Sequence, residues 1–192
     1  MKTAIIHQRF LVSTGISTDT RNIKPGSIFF ALKGANFNGN LFAAQAIEKG
    51  AICAIVDDKD AALNDKEYIV VKNSLEALQK LAKFHRKFLG IPIIGITGSN
   101  GKTTTKELIY NVLSKKYTVT ATQGNLNNHI GVPLSLLALD EETELGLIEM
   151  GANHPGEIEF LSNIVMPDYG FITNFGKAHL EGFGSLEGVI QA

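Results

Sequence analysis

Apolar residues occur along this chain in short runs separated by amphipathic stretches, and the two rhythms alternate. Residues 28–32, 51–56 and 68–71 are continuous apolar runs of strand length. Between the first two, residues 42–49 place Phe42, Ala46 and Ile47 on one helical face. Ser74 is expected to cap a longer helix with Leu75, Leu78, Leu81, Ala82 and Phe88 along its apolar side. A change of character over residues 89–92 marks a domain boundary.

Beyond it the alternation becomes regular. Residues 91–97 form an uninterrupted apolar run, as expected of a strand covered on both faces of a parallel sheet. A helix follows over 102–114, with Leu108, Ile109, Val112 and Leu113 expected on its buried face. Next come a strand at 117–121, a helix at 133–139 with Pro133 in its first turn, and a strand at 145–150. A helix at 156–164, a strand at 169–173 and a further helix from Ser185 complete the pattern. This order predicts an α/β protein. A small α/β domain over residues 1–89 precedes part of a P-loop-type, doubly wound, mostly parallel sheet over residues 90–192. The strands run into turns rich in Gly, Asn, Thr and His, the rim on which such sheets bind ligands.

Composition narrows the function classes. In 192 residues, 44% are hydrophobic and 19% charged, which fits a soluble globular protein rather than a disordered one. The net charge of −1, with no dense Lys/Arg cluster, argues against nucleic acid as a partner. Cys53 is the single cysteine and sits in an apolar run, so it is expected to be a small buried hydrophobe in a reducing compartment. The only apolar stretch near the N-terminus, residues 4–6, is too short for a signal peptide, and no later run reaches membrane-spanning length. A cytoplasmic protein without a membrane partner is expected. The helix from Ser185 has no Gly or Pro to close it before Ala192, which suggests part of a longer polypeptide.

The strongest chemical signal is I-P-I-I-G-I-T-G-S-N-G-K-T-T-T at residues 91–105. An apolar strand enters a glycine-bearing turn that opens a helix. Gly98 and Gly101 let backbone amides converge on an anion, and the helix N-terminus adds favourable dipole charge. Lys102 supplies a cation for terminal phosphates and the Thr103 hydroxyl can hold Mg²⁺. The spacing departs from G-x-x-x-x-G-K-[ST], because Ile96 stands where the first glycine belongs. Taken alone, the loop also fits a free-standing P-loop ATPase or kinase, or a module that binds without catalysis.

T-G-S-N-G-K-T-T at 97–104 resembles the ATP loop of the Mur ligase family, which has this shorter glycine pattern. Three further segments carry the resemblance: G-N-L-N-N-H-I-G-V-P-L at 124–134, I-E-M-G-A-N-H-P-G-E-I at 148–158 and A-H-L-E-G-F-G-S at 178–185. S-T-D-T-R at 17–21 and P-G-S-I-F-F-A-L-K-G at 25–34 extend it into the first half. Many relatives have D-G-H where this chain has Asn38-Gly39-Asn40. Within the family, the resemblance is to the activity that joins D-Ala-D-Ala to UDP-N-acetylmuramoyl-tripeptide, where the tripeptide-building ligase usually has S-S-H in place of Ala152-Asn153-His154.

The resemblance implies an ATP-dependent amide ligase of peptidoglycan precursor synthesis that uses ATP and Mg²⁺ and acts as a monomer. It implies that residues 1–89 bind the UDP-sugar, that 90–192 are a truncated ATP-binding domain, and that a C-terminal ligase domain is absent. The chain alone is then expected to have negligible ligase activity. Gly98, Ser99, Asn100, Gly101, Lys102, Thr103 and Thr104 would hold the nucleotide. Lys102, Glu149 and His179 would serve catalysis, with Thr103, Glu149 and His179 as metal ligands. Thr18, Thr20, Ala35, Asn36 and Phe37 match positions that hold the uridine diphosphate end, while Asn125 and Asn127 face the muramoyl-peptide. Read from its own turn, His154 either touches substrate or caps the following helix. Asp19 and Arg21 are equally readable as an ion pair that shapes their turn. His7, His85 and His129 are expected to be structural.

Overall fold

The computed structural model describes residues 2–64, 66–176 and 179–191. The chain divides into two compact units, Met1–Phe84 and His85–Ala192.

The first unit opens with α1 (Lys2–Leu11), which buries Ile6, His7 and Phe10. Then follow β1 (Ile16–Ser17), β2 (Ile28–Phe30), the two-residue strands β3 (Lys33–Gly34) and β4 (Phe37–Asn38), α2 (Ala43–Glu48), β5 (Cys53–Val56) and β6 (Tyr68–Val70). The helix α3 (Ser74–Leu89) contains the boundary between the units. The main sheet is parallel in the order β1-β2-β5-β6, and β3 and β4 form a separate antiparallel hairpin. Phe29, Ala54, Val56 and Tyr68 pack with Ala43, Ala46 and Ala51 in one core cluster. Ile28, Phe30, Cys53 and Ile55, pointing the other way by strand alternation, are also fully buried. Arg9 Nη1 donates to Cys53 Sγ at 3.1 Å, and burial pushes the thiol pKa up, as befits an inert core cysteine.

The second unit alternates β7 (Ile93–Thr97), α4 (Lys102–Leu113), β8 (Val119–Ala121), α5 (Gly131–Leu136), β9 (Leu145–Glu149), α6 (Glu157–Val165) and β10 (Tyr169–Ile172), followed by α7 (Leu180–Phe183) and α8 (Leu186–Gln191). All four strands are parallel, in the order β10-β7-β9-β8. The chain leaves β7 toward β8 and β9 and returns on its other side as β10, so the strand order reverses at β7. The C-terminal end of β7 is therefore the switch point at which such sheets bind ligands. Strands β7 and β9 supply the buried Ile93, Ile96, Leu147 and Ile148, whereas every residue of the edge strand β10 is exposed.

Arg86 latches this unit. It is 6% exposed and donates Nε to the Val165 carbonyl at 3.2 Å, Nη1 to Ile91 at 3.0 Å, and Nη2 to both Met166 at 3.2 Å and Asp168 Oδ2 at 2.8 Å. The same Asp168 oxygen accepts the Ile93 amide at 2.8 Å, so one guanidinium ties the end of α3 to the starts of β7 and β10.

Three expectations need correction. Asn73, not Ser74, caps α3: its Oδ1 accepts the Glu76 amide at 2.8 Å, the reach of a cap to the third helical residue, while Ser74 is buried beneath β5 and its Oγ faces the Ile55 carbonyl. Phe88 is 51% exposed although it follows buried Leu81 by two turns: it sits at the edge of the buried stripe in the last turn of α3, with its ring centroid 6.3 Å from that of His85. In α4, Leu108 and Val112 are 63% and 70% exposed and the buried residue is Lys106. Leu108 lies two residues from Lys106, close to the opposite side of the helix. Among the described residues no helix is long and apolar enough to cross a membrane.

Candidate functional site

The loop after β7 is shaped by close backbone approach. Gly98 has φ +127°, and a Cβ there would collide with the Thr173 hydroxyl and lie 2.9 Å from the Thr173 amide nitrogen. Gly101, at φ +77°, is the N-cap of α4 and makes no side-chain cap. The first-turn amides of α4, on Lys102, Thr103 and Thr104, have by helix geometry no intrahelical acceptor, so they point outward with the positive end of the dipole. Lys102 folds back over the loop, its Nζ donating to the Gly98 carbonyl at 2.7 Å and the Ser99 carbonyl at 3.3 Å. Its ammonium therefore stays over the turn, within the arc that a phosphate would share.

Ser99 and Asn100 are more engaged than the sequence suggests. The Ser99 amide donates to the Asn174 carbonyl at 3.0 Å and its hydroxyl to the Gly176 carbonyl at 3.1 Å. The Asn100 amide donates to Asn174 Oδ1 at 3.2 Å, and its carbonyl accepts from the Thr173 hydroxyl at 2.7 Å and Asn174 Nδ2 at 3.1 Å. These residues brace the loop against the end of β10. The amides left for an anion are those of the helix start.

Glu149 ends β9 beside β7, paired in register with Ile96. It is 1% exposed, yet its carboxylate is well satisfied: Oε2 accepts the Thr103 hydroxyl at 3.0 Å and Oε1 the Asn127 amide group at 2.8 Å. Its backbone amide donates to Thr122 Oγ1 at 3.0 Å. The structure thus joins three residues far apart in sequence: a loop hydroxyl, a strand-end carboxylate and an asparagine of the 124–128 loop. Asn125 is exposed and its carbonyl accepts the Asn127 amide at 2.8 Å. Asn128 instead caps the start of α5, its Oδ1 accepting the amides of Ile130 at 3.0 Å and Gly131 at 2.9 Å.

An open cavity of about 180 Å³ lies beside the loop, lined by Gly98, Ser99, Lys102, Asn174 and His179 together with apolar side chains such as Phe175 and Ile190. His179 thus shares a cavity with Lys102. Its φ is +52° and its Nδ1 lies 3.7 Å from Glu181 Oε1. The flanking Lys177 and Ala178 fall outside the described residues. His154 is exposed and does not cap α6: Glu157 Oε2 takes the Asn153 amide at 2.6 Å and the His154 amide at 3.1 Å, and those bonds hold the Glu157 carboxyl below its ordinary pKa. His7 and His85 are buried, His85 with Nε2 2.9 Å from the Leu139 carbonyl.

Among the described residues no three His, Cys, Asp or Glu side chains cluster as a ready-made metal cage. Mg²⁺ is commonly bound through one or two carboxylates while phosphate and water oxygens complete its shell. The Glu149 carboxylate and the Thr103 hydroxyl, 3.0 Å apart, are hard oxygen donors of the type such an ion takes.

In the first unit, the hairpin β3–β4 carries Ala35 and Asn36 exposed at its tip, and Phe37 stacks on Phe42 with centroids 5.4 Å apart. Asp57 anchors it from below. Its Oδ1 pairs with Lys33 Nζ at 2.8 Å and accepts Asn40 Nδ2 at 2.8 Å, while Oδ2 faces the Ser74 amide at 3.2 Å. Burial alone would raise the Asp57 pKa, but these three donors more than offset it and hold the carboxyl below the usual range. Asn40, 3% exposed, also accepts the amides of Asp57 at 3.0 Å and Asp58 at 3.3 Å, so the Asn38-Gly39-Asn40 departure is a satisfied internal network. Asp19 and Arg21 do pair, at 2.6 Å, and the guanidinium together with the Arg21 amide lowers the Asp19 pKa to about 2. Thr18 precedes that pair and Thr20 lies between its two members, and the Thr20 carbonyl accepts Lys49 Nζ at 2.8 Å.

Sequence reasoning met Asn40 in the Asn38-Gly39-Asn40 departure but missed Lys106, Thr122, Asn174 and Asp57. Of these four only Lys106 carried a signal, its position one turn beyond Thr103 on the same side of α4.

The Mur ligase middle domain matches residues 96–192, and the catalytic domain of the Mur ligase family matches residues 12–86. The second match removes the reading of a free-standing P-loop ATPase. A Bacillus subtilis protein named UDP-N-acetylmuramoyl-tripeptide–D-alanyl-D-alanine ligase is 45% identical over 93% of this chain, and its Escherichia coli namesake 41% identical over 92%. Each is matched over 39% of its own length, so the chain spans about two fifths of these curated relatives. The crystal structure of MurF from Acinetobacter baumannii superposes with a TM-score of 0.87 at 37% identity, covering 97% of this chain and 44% of that one. MurF from Thermotoga maritima, crystallised with ADP, gives a TM-score of 0.84 at 36% identity over 94% of this chain and 42% of its own. With the middle-domain match alone spanning half the chain, this chain belongs to the Mur ligase family.

Proposed function

We propose that this chain forms the sugar-nucleotide-binding and ATP-binding portion of a ligase that joins D-Ala-D-Ala to UDP-N-acetylmuramoyl-tripeptide. The observation that carries the reading is the meeting of Thr103, Glu149 and Asn127 beside the Lys102 loop. The names of the relatives and the ADP held by one structural neighbour support it. In this reading residues 1–89 hold the UDP-sugar through Thr18, Thr20 and the Ala35–Asn36–Phe37 tip, and residues 90–192 hold ATP through Gly98 to Thr104. Asn125, Asn127 and His154 face the muramoyl-peptide.

The chemistry follows from the problem such a ligase faces. A carboxylate is a poor electrophile, so the tripeptide's terminal carboxylate attacks the γ-phosphorus of ATP and ADP leaves. The amine of D-Ala-D-Ala then attacks the acyl carbon, inorganic phosphate departs with the C–O bonding pair, and the amine loses a proton. The first step brings two anions together and needs positive charge between them. Lys102 supplies one charge directly. Mg²⁺, held by Thr103 and Glu149 with His179 at a second position, would neutralise phosphate oxygens. The Asn127 amide links the acceptor loop to the carboxylate. The enzyme is proposed to be monomeric and cytoplasmic. Binding of the incoming amine is not assigned to the described residues, so amide formation by these 192 residues alone is expected to be negligible.

Calorimetric titration with UDP-N-acetylmuramoyl-tripeptide and with a non-hydrolysable ATP analogue tests the proposal. The sugar nucleotide should bind the parent protein. Glu149→Gln should abolish the Mg²⁺-dependent part of nucleotide binding while sparing the sugar nucleotide. An unaltered Mg²⁺ dependence in Glu149→Gln would overturn it.

A further inference from the structure

Lys106 is the side chain the proposed chemistry leaves unused and the fold treats most unusually. It is a lysine 2% exposed, and the buried residue of an otherwise half-exposed helix. Lysine is rarely buried so fully unless paired, because desolvating an ammonium is costly. Its Nζ donates to the Thr122 carbonyl at 2.5 Å and pairs with Glu107 Oε1 at 3.1 Å, a partner itself 56% exposed. An exposed partner on the same helix gives no reason to bury the charge. The carbonyl of Thr122 does.

Thr122 follows β8 and is 1% exposed. Its amide donates to the Leu147 carbonyl at 3.0 Å, and its hydroxyl accepts the Glu149 amide at 3.0 Å. One residue therefore bonds β9 on both sides of Ile148, just before the carboxylate. Lys106 holds that residue from α4, one turn beyond Thr103, whose hydroxyl meets the same carboxylate at 3.0 Å. A closed circuit results: α4 reaches Glu149 directly through Thr103 and, around the back, through Lys106 and Thr122.

We propose that Lys106 is a positioning residue for Glu149: by fixing Thr122 it sets where the strand-end carboxylate stands relative to the phosphate loop. The inference rests on the reading of Glu149 as the Mg²⁺ ligand. Groups that orient a metal ligand typically change metal affinity about 10–100-fold when removed, without touching the ion.

The test uses the whole ligase with Lys106→Met, Thr122→Val and Thr122→Ser. ADP binding is measured by calorimetry with Mg²⁺ and with EDTA, and hydrogen exchange is followed at the Glu149 amide. Lys106→Met and Thr122→Val should each cut the Mg²⁺-dependent gain in ADP affinity about tenfold or more. Affinity in EDTA should stay within about twofold, and the Glu149 amide should exchange faster. Thr122→Ser keeps the hydroxyl and should behave as the parent. The double variant should be no worse than the worse single one, as for two links in one chain. A lowered melting temperature with an intact Mg²⁺-dependent gain would make Lys106 merely structural and overturn the inference. If Lys106→Met does not fold, Thr122→Val decides alone by the same two readouts. A parent-like gain in Glu149→Gln sinks the functional reading itself. A lost gain there, retained in Lys106→Met and Thr122→Val, sinks only the positioning role.

Discussion

Arg86→Met removes the guanidinium of the second unit's latch while keeping most of the aliphatic stem. Four acceptors lose their donor: the carbonyls of Val165, Ile91 and Met166 and the Asp168 carboxylate. Each hydrogen bond to a charged group contributes about 1.5–3 kcal/mol net, but the four cannot simply be added, because some partners regain water. The Asp168 side chain is 47% exposed, so it rehydrates, and it keeps the Ile93 amide at 2.8 Å. The Val165 carbonyl belongs to a residue with no exposed surface and has no such recourse. Breaking a buried ion pair costs about 3–5 kcal/mol, and the exposure of Asp168 moves the expectation to about 3 kcal/mol. For a unit of this size that corresponds to a melting temperature lower by roughly 12 °C. Thermal unfolding by circular dichroism, with hydrogen exchange at the β7 amides, reads the loss in the correct unit. Asp168→Asn should cost only about 1 kcal/mol, since an amide oxygen can still accept from Ile93. An Arg86→Met protein within about 0.5 kcal/mol of the parent would mean that the latch contributes nothing, and the reasoning would fail.

Further predictions concern the loop, the hairpin and α4. Gly98→Ala should push the loop off Thr173 and lower ADP affinity at least tenfold; parent-like calorimetry would show that the close approach is dispensable. Asp57 has a folded pKa below the ordinary value of about 3.9, so its stabilisation is present above about pH 4 and lost as pH falls through the depressed folded value. The melting-temperature advantage of the parent over Asp57→Asn should therefore be full at pH 7 and shrink on acidification, and a growing advantage in acid would contradict it. Leu108→Gln with Val112→Gln should change stability by less than about 0.5 kcal/mol, which urea denaturation can check.

Much of the architecture was legible because parallel strands buried on both faces leave unbroken apolar runs, as over 93–96 and 145–148. The turn between β7 and α4 was legible because its glycines are demanded by local backbone geometry. What escaped is what depends on partners distant in sequence. Nothing around Lys106 announces that Thr122 will present a carbonyl to it, and nothing around Asp57 announces Lys33, Asn40 and Ser74. Leu108 and Val112 misled because composition, not phase, suggested the face: the stripe through Lys106 and Leu113 turns toward the sheet and leaves them outside. Helix α1 was missed for a similar reason, since exposed Ile5 and Leu11 blur the spacing of Ile6 and Phe10.

The way Asp57 grips the 33–38 hairpin has a consequence for how this surface can evolve. The ends are immovable: Lys33 is ion-paired, Asn40 is buried, and a Cβ on Gly39 would sit 2.5 Å from the Leu32 carbonyl. Ala35 and Asn36, exposed at the tip between the paired residues Gly34 and Phe37, carry no such obligations. Those two residues can therefore be exchanged while the scaffold keeps its register and Phe37 stays stacked on Phe42, a division of labour that leaves the tip free to vary without refolding the domain. A library confined to those two positions would be the economical place to test the proposed sugar-nucleotide contact of this surface.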